Sequence, residues 1–262
     1  MFAGKKIVVV MPAYNAEQTL SQTYEDVPKD IVDEIILVDD CSRDGTVRKA
    51  ESLGIRVFRH PANRGYGGNQ KTCYREALNL GADIVVMVHP DYQYNPKRIP
   101  QLIAALTDGE GYDAAFGSRM LGKLFREGGM PLWKFYSNII LTALANLVFV
   151  NFLTEYHSGF RAYTRKYLET VCFERNSDDF VFDTEIIAQG MYYGLRFTEI
   201  PIETRYFPEA SQINFVRSVK YGLSILSTLV KYQLHRHNLL HFSFLAQPDP
   251  RVLATPVPQN AK

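Results

Sequence analysis

The sequence has little net charge, few cysteines and no long uninterrupted apolar run, and each shortage excludes a class of protein. The 262 residues carry a formal net charge of +1, so no overall field favours nucleic acid as a partner. Cys41, Cys73 and Cys172 are far apart and odd in number, which indicates neither a disulfide framework nor a cysteine metal site. This cysteine usage fits a reducing compartment, so we expect a cytoplasmic protein that has no nucleic-acid partner.

Membrane-spanning and signal segments are also missing from the pattern. No segment reaches the roughly 18 uninterrupted apolar residues that a spanning helix usually needs. The nearest candidate, residues 135–153, is interrupted by Ser, Thr and Asn, and it predicts a buried or interfacial helix. The first apolar run is short and ends at Pro12, unlike a signal peptide. The apolar fraction of 46% is ordinary for a soluble domain, and the length allows one large α/β domain, alone or with an appendage.

Apolar runs alternate with helical patterns over the first 117 residues. Strands are predicted at 6–11, 35–38, 55–59, 84–88 and 114–116, with intervening helices at 16–27, 46–53, 69–80 and 96–106. Asn15 is the expected cap of the first helix, with Gln18 as its reciprocal partner. This alternation is typical of a doubly wound parallel sheet, and it brings the polar loops after the strands to one edge of the sheet.

The second half has a mostly helical pattern. Helices are predicted at 133–153, 166–172, 180–193 and 216–237, with one late strand at 196–202. The last helix has apolar residues at intervals of three and four, which gives it one apolar face suited to a core or dimer contact. Residues 117–130 are basic and glycine-rich and are expected to be mobile. Residues 247–262 are rich in Pro, Gln and Ala and are expected to be a disordered tail.

One stretch, IVVMVHPDYQYNP at residues 84–96, combines a buried strand with metal-ligand side chains. Its five leading apolar residues are typical of a strand buried on both faces of a parallel sheet. His89, Asp91 and Gln93 follow at alternate positions, so on an extended chain they point the same way at the edge where open α/β sheets bind ligands. An imidazole, a carboxylate and an amide oxygen together suit Mn²⁺ or Mg²⁺. A plain polar turn is the alternative interpretation.

Seven motifs in order make the chain resemble the family 2 glycosyltransferases. They are MPAYNAE, LVDDCSRDGT, NRGYGGN, VHPDYQYNP, FGSR, HSGFRAY and FDTEI. Within the family the chain is most similar to the polyprenyl- or dolichyl-phosphate sugar synthases, of the dolichol-phosphate mannose synthase type. The resemblance implies the GT-A fold, a Rossmann-like, doubly wound, mostly parallel α/β sheet with helices on both faces and a C-terminal helical extension. It also implies an inverting, metal-dependent transfer of a hexose-type sugar from UDP or GDP to a polyprenyl phosphate.

The resemblance also implies how the chain is divided. A GT-A domain would occupy residues 1–210, with a nucleotide-sugar half at 1–117 and an acceptor half at 118–210. An amphipathic helical segment would follow at residues 211–246, and then the tail.

The nucleotide-sugar would bind at the loops after the first three strands. The residues implied are Pro12, Ala13, Tyr14, Glu17, Asp39, Asp40, Arg64, Gly65 and Gly68. Asp39 or Asp40 is expected to accept hydrogen bonds from the base or ribose, and the sequence does not divide this role between them. Helix capping is the alternative role for this pair. The glycines would let backbone amides approach a phosphate or base, although plain turns use the same residues.

The metal motif departs from the family pattern of Asp-x-Asp with a Gln two residues later. His89 replaces the first Asp, whereas Asp91 and Gln93 match, so Asp91 is the main expected ligand. His89 would ligate the metal, hold a metal-bound water, or only pack. Loss of one carboxylate weakens charge neutralisation at a diphosphate, and the imidazole shifts the preference toward Mn²⁺. The substitution also supports an alternative function, a degenerate nucleotide-sugar binder without turnover.

The resemblance implies that arginine and hydroxyl side chains bind the acceptor. Arginine suits a phosphate because it binds phosphate oxygens bidentately. The candidates for acceptor or phosphate binding are Ser118, Arg119, Arg161, Arg205 and Ser211, of which Arg119 is the leading and catalytic one. Asp183 or Glu185 would be the base for a hydroxyl acceptor, and only one can face the site because they are two positions apart on a helix. Gln212 follows Ser211 where polyprenyl-phosphate synthases carry Lys, so a soluble or glycan hydroxyl stays an alternative acceptor.

Two basic stretches, residues 123–126 and 231–237, allow peripheral contact with the cytoplasmic face of a membrane. Solvated loops and helix ends have the same composition, which is the alternative interpretation. A homo-oligomer is compatible with the apolar face of the last helix.

Overall fold

The computed structural model describes residues 2–123, 130–205 and 215–246 of the chain. The strands are β1 Ile7–Ala13, β2 Glu34–Asp39, β3 Arg56–Arg59, β4 Ile84–Met87, β5 Ala114–Ser118, β6 Arg161–Thr164 and β7 Phe197–Pro201. The α-helices are α1 Leu20–Glu25, α2 Thr46–Ser52, α3 Gly65–Asn79, α4 Ile99–Thr107, α5 Leu132–Phe149, α6 Arg165–Thr170, α7 Phe182–Tyr192 and α8 Phe215–Arg236. The predicted tail at 247–262 lies outside the described residues.

The strands form one sheet in the order β3-β2-β1-β4-β6-β5-β7. β1 pairs in parallel with β2 and β4, and β2 pairs in parallel with β3, whereas β6 runs antiparallel to both β4 and β5. The order of the strands reverses between β1 and β4. In an open α/β sheet the crevice beyond the carboxyl ends of such a pair is where ligands bind. The mostly parallel α/β sheet that the sequence predicts is therefore confirmed.

The core lies on both faces of the sheet. Every side chain of β1 is buried, as a central strand covered on two sides requires. Val8 and Val10 pack into one apolar cluster, while Val9 and Met11 pack into the other. The alternation of strand side chains thus divides the core into two layers, each closed by helices.

The first helix is shorter than predicted. α1 begins at Leu20, and the predicted capping pair of Asn15 and Gln18 is wrong. Asn15 has a φ of +53° and is tied to the loop after β2: its amide donates to Ser42 Oγ, and its Oδ1 accepts from the Arg43 amide. The side chain that would cap the helix is used to join two loops.

The glycine-rich segment is helical, not a loop before a helix. α3 begins at Gly65 and not at Asn69, so the glycines occupy its first turn. The Gly67 amide donates to the Asp178 carbonyl at 2.8 Å, and a Cβ at Gly67 would overlap the carbonyl oxygen of Ser177. The glycines therefore allow helix and backbone to touch, which side chains would prevent.

Two further expectations need correction. The sequence interpretation had no strand at β6, where Arg161 is buried in a four-residue strand. The apolar face of α8 is expected to be a core or dimer contact, and Val219 and Leu223 are exposed, so this face does not enter the core, which Ile225 and Leu229 enter instead. The dimer contact stays a prediction. Periodicity identified the helix but not which of its two apolar sides the rest of the chain covers.

Replacing Gly67 with Ala tests the close contact of α3 with residues 177–178. We expect the free energy of unfolding to fall by about 2 kcal/mol, because the added methyl group must displace backbone. Gly222, also inside a helix, is the matched control, since a Cβ there meets its nearest atom only at 4.0 Å. Gly222→Ala should raise the stability by about 1 kcal/mol. Equal effects in chemical denaturation would contradict the packing argument.

Candidate active site

The carboxylate of Asp40, just after β2, organises the loop that begins α3. It accepts hydrogen bonds from the amides of Arg64 and Gly65 at 2.8 and 3.0 Å and from His60 Nδ1 at 2.8 Å. His60 Nε2 in turn contacts Thr72 Oγ1 at 2.9 Å. Because Asp40 is buried and used by these contacts, its role within the described residues is to hold the loop.

Asp39, the last residue of β2, is placed differently. Its Oδ2 accepts a hydrogen bond from the Ser42 amide at 3.2 Å, but its Oδ1 is buried and has no partner within the described parts of the chain. A buried carboxylate oxygen without a donor is costly unless a ligand supplies one. Of the two aspartates, Asp39 is therefore the one whose carboxylate can accept a hydrogen bond from a ligand.

The other residues implied for the nucleotide-sugar lie around the ends of β1 and β2. Pro12 and Ala13 are buried in β1, and the Ala13 carbonyl accepts from the Asp40 amide. Tyr14 is 51% exposed and stands at the rim. Glu17 accepts a hydrogen bond from the Gly45 amide at 2.8 Å and so holds the start of α2. The amides of Gly65 and Gly68 donate within the protein, to Asp40 and Asp178.

The residues after β4 do not leave the strand in an extended conformation, so the expectation that three side chains point the same way is wrong. The chain turns at once, with Tyr92 at a φ of +57°, and the Asp91 carboxylate accepts from the Gln93 amide at 3.1 Å. Asp91 is half-buried, and burial raises its pKa. This local turn is typical of Asp before a polar residue.

His89 is held against Tyr66 of α3. Its ring stacks on Tyr66 with centroids 5.6 Å apart, and its Nε2 lies 3.3 Å from the Tyr66 hydroxyl. Tyr66 donates its proton to Asp183 Oδ2 at 2.9 Å, so the hydroxyl oxygen can accept from His89 Nε2. A Cβ at Gly159 would overlap the imidazole. This orientation leaves Nδ1 as the nitrogen that a cation could use.

Asp183 and Glu185 face different surroundings, as their helical spacing predicts. Asp183 accepts from Gln70 at 3.0 Å and forms a buried ion pair with Arg161 at 3.1 Å, besides the contact with Tyr66. Glu185 accepts from the Ser177 amide at 2.6 Å, and burial raises its pKa. Asp183 is therefore the carboxylate connected to His89.

The candidate phosphate-binding arginines occupy three different environments. Arg119 lies against the buried Glu155, and Arg161 is 1% exposed and paired with Asp183. Arg205 is exposed, with its guanidinium over the Tyr92 ring at 4.2 Å. Ser118 is buried, and its hydroxyl accepts from the amides of residues 120 and 121, while Ser211 lies outside the described residues.

Three residues of this region were missed by the sequence interpretation: Tyr66, Glu155 and His157. Tyr66 lies inside the glycine motif and Glu155 just before HSGFRAY, so the motifs marked their neighbourhood but not their contacts. Glu155 is buried, and the charge and hydrogen bonds of Arg119 overcome that burial and lower its pKa. Both ring nitrogens of His157 are buried without a partner among the described residues, and its ring lies edge-on to Tyr221.

Comparisons with known proteins agree with this architecture. The model of the glycosyl transferase family 2 matches residues 8–172. An uncharacterized protein of Methanocaldococcus jannaschii is 34% identical over 201 residues, which cover 77% of this chain and 82% of that protein. The UDP-N-acetylglucosamine–dolichyl-phosphate N-acetylglucosaminyltransferase of Methanococcus voltae is 28% identical over 222 residues, covering 78% and 87%.

A solved structure has the same fold. Glucosyl-3-phosphoglycerate synthase from Mycobacterium tuberculosis, crystallised with Mn²⁺, uridine diphosphate and phosphoglyceric acid, superposes with a TM-score of 0.68 at 21% identity. The match covers 88% of this chain and 79% of that one. The fold is thus the GT-A type of α/β sheet that the resemblance implied.

These findings define the chain as a glycosyltransferase enzyme. It belongs to the glycosyl transferase family 2, and its similarity to the polyprenyl-phosphate sugar synthases is confirmed by the Methanococcus voltae relative.

The buried ring nitrogens of His157 should make stability depend on pH. Burial lowers its pKa from 6.5 to about 4, so between these values the unfolded chain binds a proton that the folded chain does not. Stability is therefore fully present above pH 6.5 and falls as the pH decreases toward 4. We expect wild type to lose about 2 kcal/mol more than His157→Gln between pH 7 and pH 5, measured by urea denaturation. His237→Gln, at an exposed histidine, is the control and should behave as wild type; a parallel response of all three proteins would contradict the burial argument.

Proposed function

We propose that this chain is an inverting glycosyltransferase that moves a hexose-type sugar from a nucleoside diphosphate to a polyprenyl phosphate. The observation that carries the choice of acceptor is the engagement of Asp183. Its Oδ2 accepts a hydrogen bond from Tyr66 and its Oδ1 accepts one from Gln70, and Arg161 forms an ion pair with the same carboxylate. A hydroxyl acceptor needs a base aimed at its proton, whereas a phosphate is already anionic and needs none. Glu185 is held by the Ser177 amide and does not replace Asp183.

On the donor side, we infer that Asp39 accepts a hydrogen bond from the base or ribose through its buried, unpartnered Oδ1. An imide N–H or a ribose hydroxyl is the donor that such an oxygen lacks. Tyr14, which is 51% exposed, would cover the base. The relative from Methanococcus voltae carries a UDP-linked sugar in its name, which supports a UDP-linked donor over a GDP-linked one.

A divalent cation, Mn²⁺ or Mg²⁺, fits the turn after β4. The Asp91 carboxylate is half-buried and accepts a single protein hydrogen bond within the described residues, so an oxygen remains for a cation. Asp91 and Gln93 would hold the cation, with His89 contributing through Nδ1. The structure brings no three His, Cys, Asp or Glu side chains of its described part into one metal-binding group, so the donor phosphates would complete the coordination. When bound, the cation stabilises the charge of the departing diphosphate.

Arginine side chains would bind the acceptor phosphate. Arg205 is exposed beside the turn, and its amide donates to the Gln93 carbonyl at 2.9 Å, so it lies next to the residues that would hold the donor. Arg119 is the second contact, oriented by Glu155. Arg161 is buried under Asp183 and positions that carboxylate instead. Attack by the phosphate oxygen opposite the leaving diphosphate inverts the anomeric carbon in one displacement, without a covalent sugar-enzyme intermediate.

The acceptor is tested with a radiolabelled nucleotide-sugar, a membrane lipid extract and Mn²⁺. We expect the label to enter the organic phase as an acid-labile polyprenyl phosphate sugar, because a sugar phosphate ester hydrolyses readily. The control omits the lipid. A product that stays in water as a glycoside would overturn the lipid acceptor in favour of a soluble or glycan hydroxyl. Nucleotide binding without sugar release to any acceptor would favour a degenerate binder.

Replacing Asp91 with Asn tests the cation site. The loss of one negative charge should lower kcat/KM by at least about 100-fold and abolish the Mn²⁺-dependent part of nucleotide binding in calorimetry. Because Asp91 makes only a local turn contact, the denaturation midpoint should change little. Asp30→Asn, at an exposed aspartate, is the charge-matched control and should behave as wild type. Activity of the Asp91 variant within about twofold of wild type would exclude this role.

A further inference from the structure

The outward sides of α5 and α8 carry large apolar side chains that no described part of the chain covers. Ile140, Leu144 and Leu147 of α5 are 60, 38 and 76% exposed, and Leu223 and Val230 of α8 are 63 and 59% exposed. The helices pack against each other where Phe149 meets Tyr232 and where Gln233 donates to the Val148 carbonyl, so these sides adjoin. We call them together the α5–α8 face. Contiguous apolar surfaces of this kind mark interaction sites.

Charge indicates which partner the α5–α8 face suits. The 18 residues of α5 include one Lys and no Asp or Glu, and the 22 residues of α8 include two Lys, two Arg and no acid. The chain as a whole has a net charge of only +1, so cations are concentrated on these two helices. Lys220 is paired with Asp179, and the charges of Arg217 and Lys231 also act on Asp179 and Glu185, which belong to other segments. The charges that the two helices themselves contribute are all positive. A second copy would place like charges together, whereas anionic lipid headgroups are complementary.

Aromatic residues at one end of α5 agree with a lipid surface. Trp133 and Tyr136 are 41 and 60% exposed. Such rings combine an apolar body with a polar atom, which is the property that favours the boundary between headgroups and acyl chains.

α5 would lie on a bilayer and not cross it. By length and mean hydropathy it is the one helix of the described chain that could span a membrane. However, its inward side is fixed by polar contacts: Asn138 donates to Glu155 at 2.7 Å, and Asn146 donates to the Leu153 carbonyl at 2.8 Å. Tyr156 also donates to Asn146 at 2.8 Å. A spanning helix would lose all of these bonds, whereas a helix lying in the interface keeps them.

We propose that the α5–α8 face docks on the surface of a bilayer that contains anionic lipids, with α5 and α8 parallel to it. The proposal deepens the proposed function, on which it rests for the identity of the acceptor. Asn138, on the inward side of α5, shares the Glu155 carboxylate with Arg119, so the helix that docks also contacts the carboxylate that orients the proposed phosphate contact. The phosphate of a polyprenyl lipid lies at that level while its chain stays in the hydrocarbon.

The test is cosedimentation with vesicles of phosphatidylcholine and phosphatidylglycerol. Wild type should bind these vesicles, and it should bind less at high salt or when phosphatidylglycerol is omitted. The double variant Ile140→Glu/Leu147→Glu should lower the partition coefficient at least about tenfold, since two apolar contacts become charged. Both side chains are exposed, so the melting temperature should stay near that of wild type. Ser52→Glu/Ala104→Glu adds the same charge at exposed sites elsewhere and should bind as wild type.

Activity separates this proposal from the proposed function. With a water-soluble short-chain prenyl phosphate, the Ile140/Leu147 variant should transfer sugar as wild type does, and only transfer to a vesicle-borne acceptor should fall. If wild type binds vesicles but transfers sugar to neither phosphate, docking stands and the function is wrong. If wild type does not bind vesicles, or if the variant binds equally well, docking is wrong. A dimer in sedimentation velocity that this variant dissociates, without vesicle binding, would assign the face to a second copy.

Discussion

The buried ion pair between Arg161 and Asp183 is the contact on which the site depends. It joins β6 to α7, and through Tyr66 and Gln70 it extends to α3 and to His89. Removing one partner of such a pair leaves an uncompensated charge in the interior, at a cost of about 3–5 kcal/mol. The contacts that join β6, α7 and α3 also occupy the Asp183 carboxylate. This agrees with the proposed acceptor, because an acceptor that is already anionic needs no carboxylate base.

Close approach of backbones supports this pair. The first turn of α3 meets residues 177–178 through glycines, and Lys71 extends from α3 to Asp178 at 2.7 Å. Asp40 fixes the other side of the same turn by accepting the amides of Arg64 and Gly65. The start of α3 is thus held by Asp40, which follows β2, on one side and by residues 177–178, which precede α7, on the other, and its position sets that of Tyr66.

Much of the fold follows from the sequence, because strand burial and helix periodicity are local signals. The runs at β1, β2 and β4 each predict a strand at nearly its observed place, and the motif order predicts the family. The departures occur where distant residues decide the outcome. Asn15 joins a loop 28 residues away instead of capping a helix, and β6 buries an arginine because Asp183 neutralises it. The sequence likewise could not distinguish the roles of Asp39 and Asp40, because these roles depend on which backbone amides contact each carboxylate.

The sharing of Glu155 by Asn138 and Arg119 has a thermodynamic consequence. A helix displacement that stretches the amide-to-carboxylate bond also alters the orientation of the guanidinium. The proposed docking of the α5–α8 face on a bilayer and the binding of a phosphate by Arg119 would then be linked equilibria. The factor by which membrane binding changes the affinity for the anion is also the factor by which anion binding changes the affinity for the membrane. If phosphate binding strengthens the proposed docking, the enzyme leaves the bilayer more readily once its anionic product has left the site.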